Sequence, residues 1–393
     1  MKRRPSILFV LPWELSAAGG VNQVVLNLAR EAARRHRLRP IIFCADWSHE
    51  RFVEGDYEGI TLISGRLRQP LAPENPMRNL AGFAFSMRRQ LAEWRKFISE
   101  NNVRIISMHY VGLHYFVFAM LRAFTPLKLR LLYSLHGADL TELRALGPGG
   151  MAMLRWMLRQ GHRVICCSDD LARRARNTLK IDERRVVTIH NGIDIEELDN
   201  SRHVDYQPNI GEFDNYLLSV GTFEHKKGQD VLLHAYTQLL REGLKSALVL
   251  IGRNTPHLKT LRSTVRQLGL HHHVFFILDL DHGRTLAAIR NARLLVQPSR
   301  EEPFGITLLE AGYLETPIVA TRVGGIPEVL GSYYPYLAES ENPDALAQAI
   351  DDALFNPTET GRQINLMKRR VATTFTWGSA YSSYEAFWTR KQR

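Results

Sequence analysis

Two series of strand and helix signals, separated by a polar break, predict an α/β protein of two doubly wound domains facing each other across a cleft. Three observations carry this. Short, apolar, β-branched runs recur through both halves and are too short to be helices. Longer stretches with apolar residues at 3–4 spacing lie between them. The chain, at 393 residues, is also longer than one hydrophobic core usually organises.

In the first series, Ile7–Leu11 reads as a strand, Val21–Arg34 as a helix and Pro40–Ala45 as a strand. From Arg78 to Asn101 the residues Leu80, Ala84, Met87, Leu91, Trp94 and Ile98 mark the apolar face of a long helix, with Arg88, Arg89, Arg95 and Lys96 off that face. Strands are expected at Val103–Met108, Leu129–Leu135, Val164–Cys167 and Val186–Ile189. The polar, turn-rich stretch 198–214 reads as a linker, which sets the domains at 1–200 and 201–375. The second series has strands at Tyr216–Val220, Ala247–Ile251, Val274–Ile277, Leu294–Gln297 and Ile318–Ala320. Its helices lie near Gln229–Arg241, Leu258–Gln267, Arg284–Arg290, Ile306–Tyr313 and Ala345–Phe355. A last helix, within 376–393, carries Tyr381, Tyr384 and Phe387 at helical spacing and is expected to pack back on the first domain.

Composition narrows the class. Hydrophobic residues make up 45% and charged residues 23%, as in an ordinary globular protein. No apolar run reaches the roughly 18 residues of a membrane span. The basic start, Met1 to Pro12, reads as a first strand with a charged lead-in, because Pro12 and Glu14 interrupt any leader-like run. Cys44, Cys166 and Cys167 lack metal-ligand spacing and read as buried thiols of a cytoplasmic protein. His271-His272-His273 sits between a helix and a strand without partner ligands nearby. The net charge of +11 is uneven: residues 1–205 carry 31 Lys and Arg against 21 Asp and Glu, and residues 206–393 carry 20 against 19. A basic first half suits an anionic substrate or an acidic lipid surface. Interleaved aromatics and recognisable modules for nucleic acid are missing, which argues against a nucleic-acid partner.

The chemistry concentrates in Pro298-Ser299-Arg300-Glu301-Glu302-Pro303-Phe304-Gly305-Ile306-Thr307-Leu308-Leu309-Glu310. Glu302 falls in a loop after a buried strand, and Glu310 roughly two turns into the next helix. Ligands of open α/β sheets bind at that strand edge. The amides of Phe304, Gly305 and Ile306 at the helix start favour a phosphate. A phosphate cradle flanked by two carboxylate acceptors suits a ligand with both phosphates and hydroxyls, such as a nucleotide sugar.

Together with Thr316-Pro317-Ile318-Val319-Ala320-Thr321 and Gly324-Gly325-Ile326-Pro327-Glu328, this stretch resembles the C-terminal signature of the retaining glycosyltransferases of family 4, which have the GT-B fold of two Rossmann-like domains. Gly19-Gly20-Val21, His136-Gly137-Ala138-Asp139, Asn191-Gly192-Ile193-Asp194 and Val220-Gly221-Thr222-Phe223-Glu224-His225-Lys226-Lys227-Gly228 extend the resemblance over nearly the whole chain. It implies transfer of a sugar from a nucleotide diphosphate sugar to an acceptor hydroxyl with the anomeric configuration kept. The departing phosphate would take the acceptor proton, so no side-chain base and no metal cofactor are implied.

Residue by residue, the resemblance gives catalytic parts to His136, Lys227 and Glu302. Donor-binding parts fall to Gly19, Gly20, Asp139, Lys226, Phe304, Gly305, Ile306 and Glu310. Glu302 would face sugar hydroxyls, Glu310 the ribose, and Lys226 and Lys227 the diphosphate. Asp139 has two readings, a sugar ligand or a helix cap. Many family members carry Arg directly after the glycine where this chain has Thr222, so Lys226 is assigned the place of that arginine, without its planar fork. Asp279-Leu280-Asp281 imitates the metal-binding pair of a different glycosyltransferase fold, and no metal is assigned to it. The expected partners are a nucleotide sugar donor, a glycan or lipid-linked acceptor and an acidic membrane surface. The expected setting is the cytoplasm and the inner membrane face, in bacterial lipopolysaccharide, capsule or exopolysaccharide synthesis. The alternative is a non-catalytic sugar-nucleotide-binding or membrane-surface scaffold protein on the same fold.

Overall fold

The computed structural model describes residues 4–15, 19–71 and 76–389. Two compact units divide the chain: Met1–His190 with Trp377–Arg393, and Asn191–Thr376.

The first unit runs β1 (Ser6–Leu11), α1 (Gly20–Arg35), β2 (Arg39–Ala45), β3 (Val53–Tyr57), β4 (Ile60–Gly65), α2 (Pro76–Glu100), β5 (Val103–His109), α3 (Phe116–Phe124), β6 (Arg130–Leu135), α4 (Ala138–Arg144), α5 (Pro148–Gln160), β7 (Arg163–Cys166), α6 (Asp169–Leu179) and β8 (Val186–Thr188). Its sheet has the order β3-β4-β2-β1-β5-β6-β7-β8 and is parallel except for β3. Ile7 to Leu11 are wholly buried, as a central strand covered on both faces must be. The sequence pattern misses β3 and β4. β3 is an exposed edge strand containing Glu54, Gly55 and Asp56, so it has no apolar run to detect.

Helix α2 buries Phe83, Gln90, Trp94, Phe97 and Ile98. The expected face is therefore rotated at its N-terminal part: Phe83 takes the core position, and Leu80 is 45% and Phe85 95% exposed. The bulky ring at Phe83 secures more burial than Leu80 and Ala84 would.

The second unit holds α7 (Ile195–Asn200), β9 (Tyr216–Val220), α8 (Gln229–Arg241), β10 (Ala247–Gly252), α9 (His257–Gln267), β11 (Val274–Leu278), α10 (His282–Asn291), β12 (Leu294–Gln297), α11 (Ile306–Tyr313), β13 (Ile318–Thr321), α12 (Ile326–Leu330), β14 (Leu337–Ala338), α13 (Pro343–Phe355) and α14 (Pro357–Thr374). Its strands order as β11-β10-β9-β12-β13-β14, all parallel. The junction lies at 190/191, ahead of the polar stretch read as a linker. That stretch is fastened to the second unit: Arg290 donates to the carbonyls of Ser201 and Val204 at 2.9 and 3.2 Å, and Asn291 to that of Tyr206 at 3.1 Å.

Helix α15 (Trp377–Thr389) belongs to the first unit. Arg35 of α1 donates to the Gly378 carbonyl at 2.7 Å and lies 4.8 Å over the Tyr381 ring. The buried stripe is Trp377, Tyr381, Tyr384 and Trp388. Phe387 is half-exposed, with the Arg163 guanidinium 5.5 Å from its ring.

Candidate functional site

Strand order locates the chemistry. In the second unit the order reverses at β9, which has β10 on one side and β12 on the other. The loops after β9 and β12 therefore flank the switch-point crevice where α/β sheets take ligands. The first loop carries Lys226 and Lys227, and the second carries Glu302.

Five hydrogen bonds fasten the second loop to the first and to the start of α8. Lys226 accepts at its carbonyl from the amides of Arg300 and Glu301, at 2.8 and 3.1 Å. Arg300 sets both terminal nitrogens against Asp230 at 2.8 Å in a bidentate pair, and also donates to the His225 carbonyl at 2.8 Å. The loops touch so closely at Gly228 (φ 67°) that a Cβ there would lie 1.9 Å from the Pro298 carbonyl oxygen. On the other side Gly324, at φ 54°, would place a Cβ 2.0 Å from the Glu302 carbonyl oxygen, which accepts the Gly325 amide at 2.9 Å. Glycine is required at both positions.

Within this frame Lys227 Nζ lies 2.7 Å from Glu302 Oε2, with both side chains largely buried. Gln297, the last residue of β12, donates to the same oxygen at 3.2 Å and to Ser299 Oγ at 2.9 Å. Glu302 Oε1 has no hydrogen-bond partner among the described residues. Lys226 is different: its ammonium pairs with Glu224 at 2.5 Å, and both side chains are 41% exposed. Of the two lysines, only Lys227 is built into the crevice.

Helix α11 begins at Ile306 with Gly305 as its N-cap; the Leu308 amide donates to the Gly305 carbonyl at 3.0 Å, and the Ile306 and Thr307 amides ahead of it have no acceptor within the helix. Phe304 is buried and its ring lies 5.8 Å from that of Phe375, so its side chain is part of the core and does not face a ligand. Glu310 is nearly buried on the same helix. Its Oε1 lies 3.0 Å from His282 Nε2, and His282 Nδ1 lies 2.9 Å from Glu197 Oε1.

In the first unit the order reverses at β1, between β2 and β5. Gly19 and Gly20 follow β1, are exposed and open α1. His136 follows β6. Its Nε2 lies 3.2 Å from Nδ1 of His109, the last residue of β5, whose Nε2 lies 3.0 Å from Ser107 Oγ. Burial holds His136 down at about 4, and burial with His136 beside it holds His109 well below its ordinary value. The relay is thus neutral near pH 7.

Asp139, given a donor-binding part by the resemblance, is wholly buried and faces inward. Its carboxylate accepts the amides of Val111, His136, Gly137 and Leu140 at 2.8–3.1 Å. Burial pushes it up to about 6 against the pull of those four amides. Its geometry is that of a clasp for the His136 turn; the N-cap of α4 is Gly137, without a side-chain cap bond, so Asp139 is not the helix cap.

Sequence reasoning missed His282, His109, Gln297 and Arg300. Gln297 and His109 carry a detectable signal, a polar residue ending an apolar strand next to a motif loop. His282 carries none, because its partners stand on two other helices. Asp281 accepts the Arg284 amide at 2.9 Å and caps α10. Among the described residues no group of three His, Cys, Asp or Glu side chains could hold a metal ion.

Comparison with known proteins agrees with this frame. Residues 18–197 match the family described as Glycosyltransferase Family 4, and residues 203–370 match that described as Glycosyl transferases group 1. The chain belongs to the group 1, family 4 glycosyltransferases, and its two units are those of the GT-B fold. It is 27% identical over 284 residues to an uncharacterized glycosyltransferase of Methanocaldococcus jannaschii, covering 72% of this chain and 74% of that one. It spans about half the length of glycogen synthase from Mycobacterium tuberculosis, at 27% identity over 58% of this chain and 53% of that one. Among solved structures it resembles sucrose-phosphate synthase from Thermosynechococcus elongatus, with a TM-score of 0.75, 19% identity and 98% of both chains covered. It also resembles Anabaena HepE in complex with UDP and glucose, with a TM-score of 0.70, 17% identity and 98% and 100% covered.

Proposed function

We propose that this glycosyltransferase moves a sugar from a nucleotide diphosphate sugar to an acceptor hydroxyl with retention at the anomeric carbon and without a metal. The observation that carries the reading is the pair Glu302 and Glu310 at the β12–α11 turn, with Lys227 against Glu302. Each carboxylate has one oxygen engaged by a basic side chain and keeps acceptor capacity for hydroxyls. Glu302 then serves the sugar and Glu310 the ribose. Lys227 has two further N–H donors for the diphosphate, and the first-turn amides of α11 add to it. His136 keeps the place at the donor sugar that the resemblance gives it. That HepE was solved with UDP and glucose supports the donor class.

The acceptor is proposed to be a glycan or lipid-linked sugar in the synthesis of a bacterial surface polysaccharide or lipopolysaccharide, reached by peripheral association with an acidic membrane. The solvent-facing Phe85 and Leu80 on α2, near the exposed Arg88 and Arg89, support that association. No described helix is long and apolar enough to cross a membrane.

The test is a donor screen. Common nucleotide sugars are incubated with the protein, hydrolysis or transfer is followed, and NMR reads the anomer of the first product. Turnover of one donor with its configuration kept, unchanged by chelator, supports the reading. An inverted product removes retention, loss with chelator removes metal independence, and donor binding without turnover favours the scaffold alternative. Flotation with neutral and acidic vesicles tests the membrane part, and equal recovery from both removes its electrostatic basis.

A further inference from the structure

Glu310 is held by a residue that no family motif marks. Among the described residues its hydrogen-bond partner is His282, whose two ring nitrogens lie 3.0 Å from Glu310 Oε1 and 2.9 Å from Glu197 Oε1. A neutral imidazole has one N–H and would turn a lone pair toward one of the carboxylates. Donation to both requires the imidazolium. Burial opposes the charged ring, and the two carboxylates outweigh it, holding its pKa up at about 10. The site at the start of α10 also opposes a cation, since a helix N-terminus favours negative charge. The charged groups facing the ring are Glu197 from α7 and Glu310 from α11. On its own helix start, Asp281 and Arg284 pair with each other at 3.5 Å. A second bond joins the same outer helices, from Tyr313 Oη to Asp199 at 3.1 Å.

We propose that His282 is a positioning residue for the ribose of the nucleotide donor. It fixes the Glu310 carboxylate through Oε1 in one rotamer and leaves Oε2 to accept from the ribose hydroxyls. The inference rests on the ribose reading of Glu310. Two vicinal hydroxyls are met well only by a carboxylate whose plane is already set, because a free glutamate must give up its rotamer freedom on binding. Selectivity for ribose over deoxyribose therefore depends on a side chain that does not touch the sugar.

The experiment titrates the full chain calorimetrically with UDP, ADP and GDP, then compares the tightest binder with its 2′-deoxy counterpart. A hydrogen bond to a charged group sets the expected wild-type preference for the ribonucleotide at roughly 10- to 100-fold. His282→Gln is expected to weaken ribonucleotide binding by roughly tenfold and leave the deoxynucleotide unchanged, so the ratio collapses. Glu310→Gln is expected to collapse it as well. Collapse in Glu310→Gln with the ratio intact in His282→Gln overturns the role of His282 and spares the ribose reading. A ratio intact in Glu310→Gln, or no preference in wild type, overturns the ribose reading and the inference with it. A loss that falls equally on ribo- and deoxynucleotide marks a merely structural role and also overturns it. Nitrogen NMR of the His282 ring in the unmodified protein at pH 8 is independent of any variant: two protonated nitrogens support the clamp, and a neutral tautomer overturns it.

Discussion

Removing the Lys227 ammonium perturbs stability and catalysis by separable amounts. At 2.7 Å from Glu302 Oε2 the gross attraction is about 6 kcal/mol at an effective dielectric of about 20. Desolvation of both groups cancels much of this, so the intact pair contributes little net stability. Removing one partner is another matter. Lys227→Met leaves the Glu302 carboxylate buried with only Gln297 donating to it, a loss of about 3 kcal/mol at the low end for broken buried pairs. In a unit of this size that lowers Tm by about 6 to 12 °C. Glu302→Gln carries a similar cost, and Lys227→Met with Glu302→Gln, which leaves no unpaired charge, is expected to recover at least about 2 kcal/mol of the summed losses. Denaturant unfolding of the four proteins gives the coupling, and turnover well below the lowest Tm gives the catalytic effect. Lys227→Met is expected to lower kcat by roughly 10²- to 10³-fold, the usual loss of one electrostatic donor. Additivity within about 0.5 kcal/mol would refute the pairing, and unchanged kcat in folded Lys227→Met would refute its place at the diphosphate.

Three further outcomes follow from the geometry. Gly324→Ala is expected to cost at least about 2 kcal/mol and most of the turnover, because φ 54° and a backbone oxygen 2.0 Å away both oppose a Cβ. The control Gly331→Ala, at φ 100° with open space around it, should lose less stability and keep turnover, and equal losses would remove the steric argument. Asp139→Asn keeps one accepting oxygen but turns an NH2 toward the Val111 and His136 N–H groups that Oδ2 accepts, so it should lower Tm more than donor affinity, and the reverse order would restore Asp139 as a ligand. His282 has a folded pKa raised from 6.5 to about 10, so its stabilisation is fully present below pH 6.5, declines above it and is gone beyond about pH 10. Discounted for its exposure it amounts to roughly 2 kcal/mol. The stability gap between wild type and His282→Gln should shrink from pH 6.5 to 10, and a constant or widening gap contradicts the imidazolium.

The parallel strands were legible because a strand covered on both faces must be apolar along its whole length, as Ile7–Leu11 and Leu248–Ile251 are. Elements that depend on context were not. β3 lies in solvent at the sheet edge. Helix α14 buries Thr360, Gln363, Met367 and Val371, and two polar residues in that stripe hide its period. Composition placed the junction too late, because the carbonyls of Ser201, Val204 and Tyr206 are satisfied by side chains some ninety residues on. The site divides the same way. Glu302, Glu310 and Lys227 stand in motifs next to strand ends, which sequence shows. The pairing of Lys227 with Glu302 and the clamp of His282 on Glu310 exist only once β9, β12, α10 and α11 are packed.

Moving the junction also changes the electrostatic reading. With the first unit as Met1–His190 and Trp377–Arg393, it carries 33 Lys and Arg against 17 Asp and Glu, a balance of +16. The second unit carries 18 against 23, a balance of −5. A negative diphosphate is thus assigned to the unit whose net charge repels it. On the proposed reading its binding comes from short-range groups, the Lys227 ammonium and the α11 amides, which act across a few ångströms and are little screened. The first unit has the opposite property, a long-range positive field able to draw in an anionic acceptor or surface. The two substrates should therefore separate by ionic strength. Raising salt from about 0.05 to 0.5 M shortens the screening length from about 14 to 4 Å. KM for an anionic acceptor should rise several-fold, while KM for the donor changes little. A donor KM that is the more salt-sensitive of the two would place the diphosphate under the field of the basic unit and remove Lys227 from its dominant role.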